Sequence, residues 1–155
     1  MKTMNSIKEI FRIGAGPSSS HTMGPQRAAK IFLERNPRSA SFKVSLFGSL
    51  AATGKGHLTD RAILEVVQIE WLPKIFLPFH PNAMTFCAIN SENEVLDTWT
   101  VYSIGGGALS EENRPPIGEI SDVYDMSHLS DILRWCEHSG RSYWEYVEER
   151  EGVDI

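Results

Sequence analysis

Cysteine is scarce in this chain: Cys87 and Cys136 are the only two, far apart in the sequence and each among apolar neighbours. Two such thiols exclude a disulfide framework and suit reduced, buried side chains in a cytoplasmic protein. The five histidines, at 21, 57, 80, 128 and 138, do not combine with them at the spacing of a zinc site. No stretch approaches the roughly 18 apolar residues of a membrane-spanning helix. Residues 1–5 lead into a helical pattern, not an apolar signal segment. Basic residues do not dominate either. Lysine and arginine number 15 against 20 aspartates and glutamates, and the net charge of −5 excludes the basic face of a nucleic-acid binder. Internal repeats and low-complexity segments are absent. What is left is a chain 41% hydrophobic and 23% charged, of ordinary globular composition, whose 155 residues suit one domain over 1–155.

The local patterns alternate between helix and strand. Ser6 and Glu9 stand at capping-box spacing ahead of an apolar stripe of Ile7, Ile10 and Phe11, and Gly14 ends that segment. Pro25 suits the first position of a second helix, whose buried face is Ala28, Ala29, Phe32 and Leu33 and whose end is Asn36-Pro37. Phe42, Val44 and Leu46 alternate with Lys43, Ser45 and Phe47 as a strand does. A glycine-punctuated loop follows, and Thr59 can cap a third helix. Between residues 66 and 82, Pro73, Pro78 and Pro81 allow at most a short edge strand. Residues 83–104 read as a hairpin around Asn90 to Glu94, and the triple glycine at 105–107 opens a polar loop containing Pro115-Pro116. In the tail, Leu129, Ile132, Leu133 and Cys136 form a helical stripe ended by Gly140, and Ser142 with Glu145 caps a last helix. The class is α+β, with a mixed or antiparallel sheet and packed helices.

Two stretches carry polar chemistry. In "GPSSSHTMGP" (16–25), hydroxyls and His21 lead into the start of the second helix, where unpaired N–H groups favour an anion. The competing reading is a polar loop whose serines cap the helix and make turns. In "TGKGHLTD" (53–60), Lys55 and His57 sit between glycines just before a helix, or in a plain solvated turn. A P-loop is excluded, because five residues separate Gly48 from Gly54-Lys55 and Gly56 stands where serine or threonine belongs. The serines do not form the Gly-x-Ser-x-Gly elbow of a hydrolase.

Taken in order, "IFRIGAGPSSSHTMGPQRAA", "FGSLAATGKGHLTDRAIL", "HPNAMTF" and "YSIGGG" resemble the β domain or β subunit of iron–sulfur-dependent L-serine dehydratases. The resemblance implies conversion of L-serine to pyruvate and ammonia with a 4Fe-4S cluster held by cysteines of an α domain or subunit, not by this chain, which has too few thiols. It implies that His57 takes the α-proton and that His21 is a second active-site imidazole. Ser18, Ser20 and Thr22 are then expected to hold the substrate carboxylate, with Lys55 and Asn82 as further polar contacts. No metal ligand is expected in this chain, a homo-oligomer is expected, and neither nucleic acid nor membrane is an expected partner. The fold it implies is similar to the allosteric substrate-binding domain of some phosphoglycerate dehydrogenases. That likeness supplies the alternative, a regulatory module that binds a small anion or amino acid without catalysis. One departure stands out. Residues 65–81 are short and proline-punctuated where members of the family carry a longer segment.

Overall fold

A computed structural model describes residues 4–10, 13–14, 16–63, 67–114, 117 and 122–152. In chain order these form β1 (Met4–Asn5), a 3₁₀ turn (Ile7–Ile10), a π-helical turn (Ser19–Met23) running into α1 (Gly24–Arg35), β2 (Ser41–Phe47), α2 (Gly48–Thr53), α3 (Thr59–Ile63), β3 (Val67–Leu72), β4 (Ala83–Ile89), β5 (Val95–Gly105), β6 (Ala108–Ser110), β7 (Asp122–Tyr124), α4 (Leu129–Ser139) and α5 (Tyr143–Glu151). The α+β class is observed. The chain divides into two compact units, one of residues 13–118 and one of residues 1–12 with 119–155. Among the described residues no helix is long and apolar enough to cross a membrane.

The larger unit is built on a mixed five-stranded sheet in the order β3-β2-β4-β5-β6. Only β2 and β3 run parallel, so their connection must cross over, and α2 and α3 provide it. The edge strand expected within 66–82 is β3. Alternation along β2 buries Phe42, Val44 and Leu46 on one face, and pairing of Val44 with Phe86 and of Phe86 with Trp99 carries that face across the sheet. Against it α1 lays Ala28, Ala29 and Phe32, all nearly inaccessible. The two alanines let the helix approach closely, and the Phe32 ring packs on Phe86 at 5.4 Å and stacks on Trp99 at 6.2 Å.

Three elements depart from the expectations. The stretch 48–53, expected as loop, is helical: Gly48 turns the chain out of β2 at φ +50°, and α2 buries Leu50 and Ala51. The triple glycine does not open a polar loop directly. Gly105, Gly106 and Gly107 all take positive φ and form a tight turn that pairs β6 back on β5. Cys87 is half-buried, not buried, because Phe86 and Ala88 occupy the inward positions of β4 and leave it on the other face. Both thiols are free.

In the smaller unit β1 pairs antiparallel with β7, and Tyr124, Ile132 and Tyr146 make a core of their own. Gly140 ends α4 in the left-handed conformation, and Ser142 with Glu145 forms the capping box at the start of α5. Of the expected α4 stripe, only Ile132 is fully buried. Leu129 and Leu133 are exposed, since the cluster around Tyr146 engages the narrower strip of Ile132, Trp135 and Cys136. The first expected helix is a single 3₁₀ turn, with Phe11 outside the described residues, as is Pro115-Pro116. Ser6 there accepts from the Lys8 N–H and donates to Glu151 at 2.5 Å. Glu151 also accepts from the Ile7 N–H at 2.9 Å and from the Tyr124 hydroxyl at 2.7 Å. Burial pushes its carboxyl up, but the bonds from Ser6, Tyr124 and Ile7, with Lys8 nearby, outweigh that and hold it below its ordinary value.

Candidate active site

Antiparallel pairing of β2, β4 and β5 brings the end of β2, the start of β4 and the end of β5 to one edge, through the pairs Leu46 with Met84 and Met84 with Val101. The π-helical turn at the head of α1 is pinned to that same edge. A methyl group on Gly24 would meet the Ser103 hydroxyl oxygen at 2.2 Å, so glycine permits this contact. Ser49, just after β2, donates its N–H to the Pro81 carbonyl at 3.1 Å, and the Ser103 N–H bonds the Asn82 carbonyl at 2.9 Å. Segments far apart in sequence thus share one location.

There His21 and His57 meet. Their ring centroids lie 5.0 Å apart, with planes tilted by 35°. His21 sits in the π-helical turn, where the Met23 N–H reaches back five residues to Ser18. Ser18 caps that turn by accepting from the His21 N–H at 3.2 Å. The His21 ring has Ser20 Oγ 2.9 Å from Nδ1 and Ser49 Oγ 3.5 Å from Nε2. His57 comes from the tight turns after α2, and its Nδ1 lies 2.9 Å from the Thr53 carbonyl. A carbonyl only accepts, so this bond requires the hydrogen on Nδ1, and in the neutral ring that tautomer places the lone pair on Nε2. The two loops are also cross-tied. Thr22 Oγ1 donates to the His57 carbonyl at 2.7 Å, and Thr59 Oγ1 donates to the His21 carbonyl. Desolvation lowers the His21 pKa from its ordinary value, and the neighbouring His57 lowers it further.

Of the residues expected from sequence, His21, His57, Ser18, Ser20 and Thr22 come together. Two lie to the side: Lys55 places its ammonium 5.5 Å from the centre of the Trp71 ring, and Asn82 donates through Nδ2 to the Ser103 carbonyl at 3.4 Å. The expectation for Thr59 was a helix cap, but its hydroxyl serves His21 instead. Ser49, Thr53 and Thr59 had no assigned role at the site. Thr59 had one local hint: in an α-helix the donor to the His21 carbonyl would be residue 25, and Pro25 has no N–H, which leaves that carbonyl open to a partner from elsewhere.

The donor set does not suit an iron–sulfur cluster. A cluster is held by three or four thiolates in most proteins, whereas this chain has two cysteines, one in each compact unit. Among the described residues no three His, Cys, Asp or Glu side chains gather as a metal site.

The model of the serine dehydratase beta chain family matches residues 6–68 and 64–114, and the chain belongs to that family. It is 34% identical to the L-serine dehydratase of Helicobacter pylori, over 96% of this chain and 43% of that protein. It is 32% identical to L-serine dehydratase TdcG of Escherichia coli, over 90% of this chain and 41% of that one. With the L-serine dehydratase of Mycobacterium tuberculosis it shares 36% identity over 69% of this chain and 33% of the relative. The chain therefore spans about two fifths of the length of the first two relatives. The Helicobacter match runs over 200 positions yet takes up 96% of 155 residues, so roughly fifty positions there have no counterpart here. The family model matches in two stretches that meet at residues 64–68, at the start of the segment 65–81 in which the sequence departs from the family pattern.

Proposed function

We propose that this chain is the β portion of an L-serine dehydratase and supplies the proton-handling half of its active site. The observation that carries the reading is the facing imidazole pair, with the His57 tautomer fixed by the Thr53 carbonyl. Conversion of L-serine to pyruvate and ammonia begins with removal of a weakly acidic α-proton, which needs an unprotonated base in reach of that carbon. His57 Nε2 is that base. His21, kept neutral at pH 7 by burial and by its neighbour, assists without placing a second positive charge beside the first.

Ser18 and Ser20 are proposed to hold the substrate carboxylate. Ser18 uses its lone pair as the cap and keeps its hydroxyl hydrogen to donate, and the head of the helical turn adds a favourable field. The Thr22 hydrogen is committed to His57, so Thr22 cannot donate to the same carboxylate. Lys55 and Asn82 are proposed as outer polar contacts. Departure of the hydroxyl group needs an electrophile that this chain's residues do not provide. From the family resemblance we assign it to a 4Fe-4S cluster on an α portion, the partner of this chain, and we extend the same resemblance to an oligomeric enzyme, a cytoplasmic location and a fold like the allosteric substrate-binding domain of phosphoglycerate dehydrogenases. A regulatory anion site would need the hydroxyls and the helix terminus, but it gives no reason for two facing imidazoles.

The test is reconstitution. The chain, mixed anaerobically with a cluster-loaded α chain of a serine dehydratase, is expected to form pyruvate from L-serine, while neither chain does so alone. Tight L-serine binding without turnover in that mixture would favour the regulatory reading instead.

A further inference from the structure

We propose that Thr22 and Thr59 are positioning residues that set the separation of the His21 and His57 imidazoles, each acting through the main chain of the other histidine's loop. As a statement about the reaction this rests on the proton-handling reading above; as a statement about geometry it stands alone. The two bonds are reciprocal. Thr22 follows His21 and donates to the carbonyl of His57; Thr59 lies two residues after His57 and donates to the carbonyl of His21. Both threonines are withdrawn from solvent, at 4% and 0% exposure, although the histidines they serve are only half-buried. A hydrogen bond shielded in this way does not compete with water and holds its partner more firmly than a surface contact does.

The backbone on each side makes room for these hydroxyls. A Cβ on Gly16 would lie 2.1 Å from Thr22 Cγ2, and Gly16 adopts a φ of +108° that L side chains rarely take. A Cβ on Gly54 would approach Thr59 Oγ1 to 3.0 Å and the Leu50 carbonyl to 2.4 Å. Gly16 and Gly54 thus stand where the threonines pack, which gives them a purpose beyond loop flexibility. The acceptors have a reason too. Pro25 denies the His21 carbonyl the donor that a regular helix would supply. The turn carrying His57 is short, bonded internally through the Thr53, Gly54 and Lys55 carbonyls, and contains Leu58 at φ +57°. Without Thr22 the carbonyl of His57 loses its tie to the turn that carries His21.

The effect on chemistry follows from distance. A base displaced by about 1 Å loses on the order of a hundredfold in rate, because proton transfer depends steeply on approach and alignment. Binding of the substrate carboxylate by Ser18 and Ser20 does not pass through these bonds, so KM should move far less than kcat.

The experiment uses the full chain and its Thr59→Val, Thr59→Ser, Thr22→Val and Thr22→Ser forms. Imidazole titrations and ring-to-ring proton contacts are followed by NMR, and turnover is measured after reconstitution. In each valine form the ring-to-ring contact should weaken and the His21 pKa should rise toward 6.5, with kcat reduced about ten- to a hundredfold; the serine forms should restore both. Valine forms that fold and keep the wild-type titration and ring contact would overturn the proposal. Should they fail to fold, the wild-type chain decides: both threonine hydroxyl protons should exchange slowly enough to be seen, and fast exchange of either rejects the brace. If the wild-type mixture lacks dehydratase activity while the NMR results stand, the functional reading fails and the brace survives.

Discussion

His21 and His57 face each other at 5.0 Å, and the second lowers the proton affinity of the first. Burial is the larger cause of the lowered His21 pKa and His57 the next, so the two contributions can be separated by substitution. His57→Gln removes the charge and keeps much of the bulk. Proton NMR titration should then show His21 moving upward toward 6.5, though not reaching it, since desolvation remains. An unchanged or lower His21 pKa would mean that His57 does not depress it and that the repulsion between the two rings is not at work.

The larger unit's core turns on one ring. Phe32 is 1% exposed and touches Phe42, Phe86 and Trp99. Phe32→Ala should cost about 3–5 kcal/mol, read as a lowered urea midpoint, because the surrounding sheet cannot close over the gap. A loss below about 1 kcal/mol would show that α1 is held to the sheet by something other than this cluster.

Much of this architecture was legible because the elements concerned carry their own signals. Pro25 and Asn36-Pro37 bracket α1, alternation marks β2, and Ser142 with Glu145 writes the start of α5. What was not legible depends on distant partners. The helix α2 has no capping side chain and only six residues, and it exists because Leu50 and Ala51 are buried against the sheet. β6 has three residues and is defined by its pairing with β5. At the site, sequence pointed to both histidines, whereas Thr59 looked like a helix cap, which is what a threonine before Asp60 suggests locally. Its contact with a residue 38 positions away is tertiary information.

Glu151 is a buried carboxylate whose charged form is held by three donors from the opposite end of the chain and from β7. Its pKa lies below the ordinary carboxylate value when folded, so near pH 4 the unfolded chain binds more protons. The stabilisation is therefore complete above about pH 4.5 and is lost as the pH falls further. Glu151→Gln should destabilise the smaller unit by about 2 kcal/mol at pH 7, since Ser6 and Tyr124 lose a charged acceptor. The same change should flatten the fall in stability below pH 4.5. Denaturation followed by Trp135 and Trp144 fluorescence across pH 3–7 measures both effects; an unchanged acid slope would show that another carboxylate governs it.

If the imidazoles work as one device, their losses must not multiply. His57→Ala removes the proposed base and should lower kcat of the reconstituted enzyme by about 10²–10⁴. His21→Ala should cost less, because the ring assists and does not take the α-proton itself. Once the base is gone, His21 has no proton transfer left to support, so the double variant should be no slower than His57→Ala alone within a factor of about three. Independent roles, such as His21 acting only on the substrate carboxylate, would instead give a double variant slowed by the product of the two single effects. Comparing kcat for the four proteins at saturating L-serine distinguishes these outcomes, and a multiplicative result would detach His21 from the proton transfer and return it to substrate binding.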